Sequence, residues 1–337
     1  MLKFISLGSV VLLVVCAAAV RQAKGVKAMS VQVNVKGVQE HGIRIILPTD
    51  AEFEEMFFKF TRNQPADVRE CIRPLSVIVE NRSKHAIVGT RIRWEILKED
   101  GTTFSLPVGS VNPAGFESAG RPDLLQRLGP NVILSGATGF LSNGGRASDN
   151  EVLQLDTALM TFRGSEEELN AFNREINNHN YVEAFKLSQK SITNMLRGAL
   201  SVTVSVDGIF FDDGGFVGEN ETGLFEDTKA YLDAEYDFAK DLLSQRRHKT
   251  EEEILSYLSE VAKPLPKEAR ETSAAAVKMP DSKARATRQY DFCKMSRAQQ
   301  LLRMKDVLGA SRAIDAAIQR ANRPRIELRK LQATKQG

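Results

Sequence analysis

Of 337 residues, only three are cysteine, four are histidine and one is tryptophan. Cys16, Cys71 and Cys293 are too few and too far apart for a disulfide-rich scaffold or a zinc knuckle. None of His41, His85, His179 and His248 has a second histidine or a cysteine three or four residues away, so the helical zinc signatures are absent. The chain carries no G-x-S-x-G elbow, no P-loop and no G-x-G-x-x-G dinucleotide turn. The glycine-rich stretch from Gly136 to Gly145 lacks the Gly-Lys-Ser/Thr of a phosphate cradle. No catalytic residue and no cofactor motif is therefore visible. A triad assembled in space stays open, because triads are defined by geometry rather than by order along the chain.

Long apolar runs are equally scarce, with one exception. Phe4 to Val20 is apolar but for Ser6, Gly8 and Ser9; it follows Lys3 and ends in Ala17-Ala18-Ala19 ahead of Val20. That is the pattern of a signal peptide over residues 1–19, and it predicts an exported protein, periplasmic or extracellular. Two alternatives stay open. A run of 17 residues, from 4 to 20, is near the lower limit of a membrane span. With Arg21, Lys24 and Lys27 behind it, an uncleaved Phe4–Val20 segment is a membrane anchor of either orientation. Leu13-Val14-Val15-Cys16 resembles a lipoprotein site except for the bulky Val15. In an oxidising compartment Cys71 and Cys293 either form one bridge or remain two partly buried thiols.

Net charge is a modest +3, but it is unevenly placed. Residues 207–253 hold 14 acidic and 5 basic side chains, and residues 281–337 hold 14 basic and 5 acidic ones. The basic region has only Tyr290 and Phe292 as aromatics, too few for base stacking, and an exported chain does not meet nucleic acid, so no nucleic-acid partner is expected. Three readings remain for it: contact with anionic lipid or an envelope partner, docking onto the acidic stretch, or two solvated faces that never meet. In the docking reading apolar seams do most of the holding, because a surface ion pair contributes only ~0–1 kcal/mol.

Periodicity outlines the elements. Val31, Val33 and Val35, then Ile43 to Leu47, read as short strands. Thr49 and Glu52 have capping-box spacing before a helix over 50–61, whose Phe53, Met56, Phe57 and Phe60 form a core-facing stripe. Leu75 to Glu80 is a strand candidate. Val88, Thr90, Ile92, Trp94 and Ile96 alternate with Arg91, Arg93 and Glu95, as in a strand with one wet face, and Thr102 to Leu106 returns beside it after Asp100-Gly101. Val132 to Leu134 and Val152 to Phe162 are weaker strand candidates. Ser165 and Glu168 cap a helix toward Asn178, and a second helix runs over 182–196. Leu200, Val202, Val204, Val206 and Phe210 are expected on one strand face, with a hairpin turn at Asp213-Gly214-Gly215. Asn81-Arg82-Ser83 and Asn220-Glu221-Thr222 match glycosylation acceptors.

The segment from Asp207 to Asn220 is the most distinctive one. From Ser205 to about Leu243 the chain resembles exported bacterial proteins of uncharacterised function, in which an Asp-Gly strand end leads into an acidic helical tail. The resemblance implies export and carries over no catalytic residues. Asp212, Asp213 and Glu219, with Asn220, are the candidate oxygen ligands for a metal. The EF-hand register fails, because Ile209 or Phe210 falls where the first carboxylate is needed, and a plain hairpin turn accounts for the same residues.

Together these features predict an α+β chain: an antiparallel, immunoglobulin-like β-sandwich over 29–220 with a helical insertion at about 165–197, acidic helices over 221–262, a linker over 263–284, basic helices over 285–322 and a frayed tail over 323–337. The function expected is that of an exported, non-catalytic binding or structural module without a cofactor. An envelope-associated protein using its basic helices, and a hydrolase with a spatially assembled site, are the alternatives.

Overall fold

A computed structural model describes residues 30–34, 38–62, 76–125, 132–142, 166–190, 198–264 and 282–331, apart from single positions inside these ranges, and a few positions between 66 and 73. The signal segment, Cys71, the 152–162 strand, the Ser165 cap, much of the 182–196 helix and most of the 263–284 linker lie outside the described residues. The elements run β1 (Ser30–Asn34), β2 (Ile43–Ile46), α1 (Phe53–Thr61), β3 (Ser76–Asn81), β4 (Ile87–Lys98), β5 (Thr103–Val108), α2 (Pro113–Phe116), α3 (Pro122–Leu125), β6 (Ala137–Ser142), α4 (Glu166–Asn177), β7 (Ala199–Phe211), β8 (Gly215–Val217), α5 (Leu224–Arg246), α6 (Glu251–Val261), α7 (Ser282–Leu308), α8 (Ala310–Ile318) and β9 (Arg329–Lys330).

The chain is α+β, with two sheets and a helical bundle. One sheet has the order β5-β4-β7-β8-β9, with β1 beside the first half of β7; the other is β2-β3-β6. The expectation of a wholly antiparallel arrangement is corrected here, because β1 runs parallel to β7 and β9 parallel to β8. The two sheets meet in one core. Ile43, Val77, Val79 and Leu141 from the small sheet pack with Ile92, Trp94, Ile96, Val202 and Val204 from the large one. Trp94, 1% exposed, is the core residue its position suggested. The outer face of the small sheet, through Ile46, Ile78 and Phe140, takes the expected aromatic stripe of α1, with Phe53 and Phe57 stacked at 5.4 Å.

The sequence pattern misjudges two local features of these sheets. The Thr49–Glu52 capping box does not form: the Leu47 N–H donates to Asp50 Oδ2 at 2.8 Å, and Glu52 pairs with Arg44 instead. On β7 the alternation breaks at Asp207. Arg91 pairs with Gly208 and the next residue, Ile92, with Val206, so Asp207 is the extra residue of a β-bulge. The inserted residue reverses the side-chain parity. Ile209 and Phe211 therefore join Val202, Val204 and Val206 in the inter-sheet core, whereas Phe210 faces the other way.

That second face carries an aromatic cluster. Phe210 lies 4.8 Å from Phe216 and 5.7 Å from Phe116, and Phe225 of α5 stacks over it at 6.2 Å. Here the large sheet docks on the helices. Asn220, with φ +56°, accepts the Phe225 N–H on Oδ1 at 2.8 Å and so starts α5. At α6 a Thr250/Glu253 capping box forms: Thr250 Oγ1 accepts the Glu253 N–H at 3.3 Å and Glu253 Oε2 accepts the Thr250 N–H at 2.8 Å.

The acidic and basic stretches do meet. Arg285 pairs with Asp227, Arg297 with Glu235, and the Tyr290 hydroxyl donates to Asp237 at 2.9 Å. Beneath them Phe238, Leu242, Ile254, Leu258, Leu301 and Ile314 form an apolar seam, with Leu242 and Ile254 fully buried. The basic region divides into two helices at Gly309, which has φ +83°.

The described part of the tail expected to fray, up to Leu331, is held on the sheet. The Arg329 N–H donates to Gly214 O at 3.0 Å and the Leu331 N–H to Phe216 O at 2.8 Å, which adds β9 to the sheet. Gly214, at φ +84°, passes so close to Glu327 that an added Cβ would lie 2.3 Å from its carbonyl oxygen. Gly214→Ala is expected to cost about 1–3 kcal/mol through the positive φ and the clash. Limited proteolysis should then cut within 324–331 faster than in the native chain; an unchanged digestion pattern would contradict this account of the tail.

Candidate functional site

The structure separates the candidate metal ligands. Asp212 and Asp213 sit together on the β7–β8 turn, where the Gly214 N–H donates to Phe211 O at 3.0 Å. Glu219 follows the far end of β8, 3.5 Å from Arg93. Asn220 is committed as the start of α5. Arg91 and Arg93, expected on a wet face, are covered by the same 219–222 loop: Arg91 Nη1 donates to Thr222 Oγ1 at 2.9 Å, and Arg93 pairs with Glu221. Burial lowers the Arg91 guanidinium from its usual range, opposed by the charge of Asp207.

In place of Glu219 the fold brings in His85. Its Nδ1 lies 3.3 Å from Asp212 Oδ1 and its Nε2 lies 3.6 Å from Asp213 Oδ2. No local motif announces this, since the histidine and the turn are more than a hundred residues apart. The pairing follows from the β4–β7 register, which sets Ile87 opposite Phe211, with the Asp212 N–H donating to Ala86 O at 2.8 Å. Asn81, named above as a glycan acceptor, is fully buried and holds this loop from inside: its Nδ2 donates to His85 O at 2.8 Å and to Leu134 O at 3.1 Å. It is therefore unavailable to a glycan.

A second feature had no signal in the sequence. A cavity of about 440 Å³ lies between the Asn112–Glu117 segment and the helices α5, α7 and α8. Pro113, Ala114, Phe238, Ala239, Leu301 and Met304 give it an apolar wall. Its polar side holds Arg297, Arg320 and Arg323 with Glu117, Glu235 and Tyr231. Glu235 is engaged on Oε1: Tyr231 Oη donates to it at 2.8 Å, and Arg297 pairs with it while also donating to Tyr231 Oη at 3.2 Å and to Gln300 Oε1 at 2.5 Å. Glu117 pairs with Arg323 and approaches Arg320 Nε at 3.0 Å.

Arg320 is different. Its side chain is 13% exposed. Apart from the ion pair with Glu117, its Nε, Nη1 and Nη2 are all buried without a hydrogen bond. Burial accordingly lowers this guanidinium from its ordinary value. A buried cation with three nitrogens unbonded is costly to retain unless something else meets them.

Cys293 is 4% exposed in the bundle, and Gln289 Nε2 lies 3.5 Å from its sulfur. Burial pushes its thiol up to about 11, which disfavours the reactive thiolate. Its proposed partner Cys71 lies outside the described residues.

No protein-family model, no curated protein and no solved structure matches this chain.

The bundle should be sensitive to alkali. Burial first, then the hydrogen bond to Asp237, raise Tyr290 to about 12, and Cys293 stands at about 11 against an ordinary value of 9.0. Both groups favour folding in their neutral forms. Their contributions are complete below about pH 9 and are lost as pH rises through 11 to 12. The melting temperature followed by circular dichroism is expected to hold to pH 9 and then fall, with a shallower fall in Tyr290→Phe. A flat profile to pH 12 would refute the assignment.

Proposed function

We propose that this chain is an exported, non-catalytic binding module that takes a small carboxylate with an apolar body into the cavity between the Asn112–Glu117 segment and the helical bundle. The observation that carries the reading is Arg320, a lining residue of this part-apolar cavity whose three buried nitrogens make no hydrogen bond and whose ion-pair partner, Glu117, is shared with Arg323. A guanidinium presents parallel N–H groups that match a carboxylate. The local charge favours a monoanion. Arg297, Arg320 and Arg323 face Glu117 and Glu235, which leaves one positive charge, too little for a phosphate dianion. The wall of Phe238, Leu301 and Met304 suits an alkyl or aryl group, and the volume is that of an ordinary ligand site.

The sheet part is read as sandwich-like, supported by the core that both sheets share. Contact with an anionic envelope surface through the basic helices has less support, because Arg285, Arg297, Arg325 and Lys330 are neutralised by Asp227, Glu235, Asp233 and Glu226.

Calorimetric titration with 4-phenylbutyrate, its neutral counterpart 4-phenylbutanol and inorganic phosphate tests the site. The acid is expected to saturate at one per chain and to bind at least about tenfold tighter than the alcohol, as a charge-assisted hydrogen bond implies. Arg320→Met should abolish that preference while leaving the ligand-free melting temperature equal or higher, since the substitution removes a buried charge without a hydrogen bond and leaves Glu117 its Arg323 partner. Equal affinity for acid and alcohol would overturn the reading.

Export is supported by Lys3, the apolar run Phe4–Val20 and Ala17-Ala18-Ala19, and by the resemblance over Ser205–Leu243. No helix among the described residues is long and apolar enough to cross a membrane. The non-reduced intact mass from each cell fraction is expected to show a species beginning at Val20 outside the cytoplasm. A membrane-bound species retaining Met1 would favour the anchor instead.

A further inference from the structure

We propose that His85, Asp212 and Asp213 form a binding site for a divalent transition metal of the zinc class, separate from the carboxylate cavity. Each residue offers one ligand atom, and the three atoms lie within 4.8 Å of one another. One imidazole nitrogen and two carboxylate oxygens suit Zn²⁺, Mn²⁺ or Fe²⁺; a set containing imidazole is a poor choice for Ca²⁺, which prefers oxygen throughout.

The second, independent observation is the Asp212 carboxylate. Asp212 is 7% exposed, and its Oδ1 is buried with no hydrogen bond although it faces His85 Nδ1 at 3.3 Å. A buried carboxylate oxygen left without a donor calls for a cation. The backbone around the ligands is already held. The His85 N–H donates to Ser83 Oγ at 3.2 Å, the His85 carbonyl accepts from Asn81 and from Ser83 Oγ at 2.9 Å, and the Asp212 N–H is bonded to Ala86. The imidazole leans on Phe211 with ring centroids 6.3 Å apart. Ligands carried on a fixed register need little reorganisation on binding.

Asp213 has competing partners. Its Oδ1 accepts the Gly215 N–H at 3.0 Å, and its Oδ2 pairs with Arg329, which also donates through Nη1 to Asp213 O at 3.1 Å. The Arg329 side chain is 55% exposed and free to swing toward water when a cation takes Oδ2. His85, 35% exposed on its side chain, leaves the outer coordination positions to solvent. A three-ligand site with open positions is the form taken by exchangeable or reactive metals rather than by closed structural ones. Arg329 belongs to β9, so occupancy of this site bears on how firmly β9 is held.

The test uses the full chain, stripped with chelator and then titrated with Zn²⁺ by calorimetry and with Co²⁺ by visible absorption. Saturation at one Zn²⁺ per chain is expected, with Co²⁺ bands free of thiolate charge transfer, which separates this site from Cys71 and Cys293. His85→Gln and Asp212→Asn should each weaken Zn²⁺ binding at least tenfold. Arg329→Gln, which removes the competing cation without touching a ligand, should tighten it severalfold and covers the case in which a ligand variant fails to fold. Absence of saturable binding, a thiolate band, unchanged affinity in folded His85→Gln, or unchanged affinity in Arg329→Gln each overturns the proposal.

Discussion

One extra residue in β7 decides which of its side chains enter the core between the sheets and which meet the helices. Asp207 is inserted into the β4–β7 ladder, and because side chains alternate along a strand, a single insertion exchanges the two faces beyond it. Before the bulge β7 contributes Val202, Val204 and Val206 to the core between the sheets. Beyond it, Phe210 turns to the other face of the sheet and joins the buried aromatic cluster on which the helices dock. The bulge is held by its own carboxylate. Asp207 is 1% exposed; it accepts the Thr222 N–H on Oδ1 at 3.0 Å and the Thr222 hydroxyl on Oδ2, while its carbonyl accepts the Asn220 N–H at 2.7 Å. One residue thus ties the strand, the covering loop and the start of α5 together. Gly208 makes this possible, because a side chain there would meet the Phe216 ring at 2.4 Å.

The opposed charge balances of the two helical stretches find a structural role in docking. Arg285–Asp227 and Arg297–Glu235 are partly buried and fix which faces meet, while the seam around Leu242 and Ile254 supplies the apolar burial that holds them. Burial has an electrical cost at Asp227, whose carboxyl is raised by desolvation despite the opposing Arg285. Charge here selects register and orientation; hydrophobic area provides most of the stability.

The segment after α8 runs past both proposed sites. Arg320 and Arg323 border the cavity, and six residues on, Arg329 reaches Asp213. Between them Arg325 pairs with Asp233 on α5, and Ile326 and Leu328 pack against the aromatic cluster. The carboxylate cavity and the metal cluster are therefore joined by one short, ion-paired strap that closes the sheet edge.

Much of the architecture was legible along the chain, because periodicity reports which face of an element is apolar. The α1 stripe, the Trp94 strand, the β7–β8 hairpin and the Thr250 cap are all local patterns, and local patterns are determined by residues within a few positions of one another. The complementarity of the two charged stretches was also visible, since charge adds along sequence without reference to structure. What depended on tertiary structure was everything that pairs distant residues. The parallel placement of β1 and β9 leaves no periodic mark distinct from an antiparallel one. The bulge at Asp207 is decided by the loop that covers it. His85 meets Asp212 through a strand register, and Arg320 loses its hydrogen-bond partners only because three helices and a loop enclose it. Composition and spacing determined which elements form and that two stretches of opposite charge exist; the folded chain alone decided which polar groups are buried together, because burial and distance are properties of packing rather than of order along the chain.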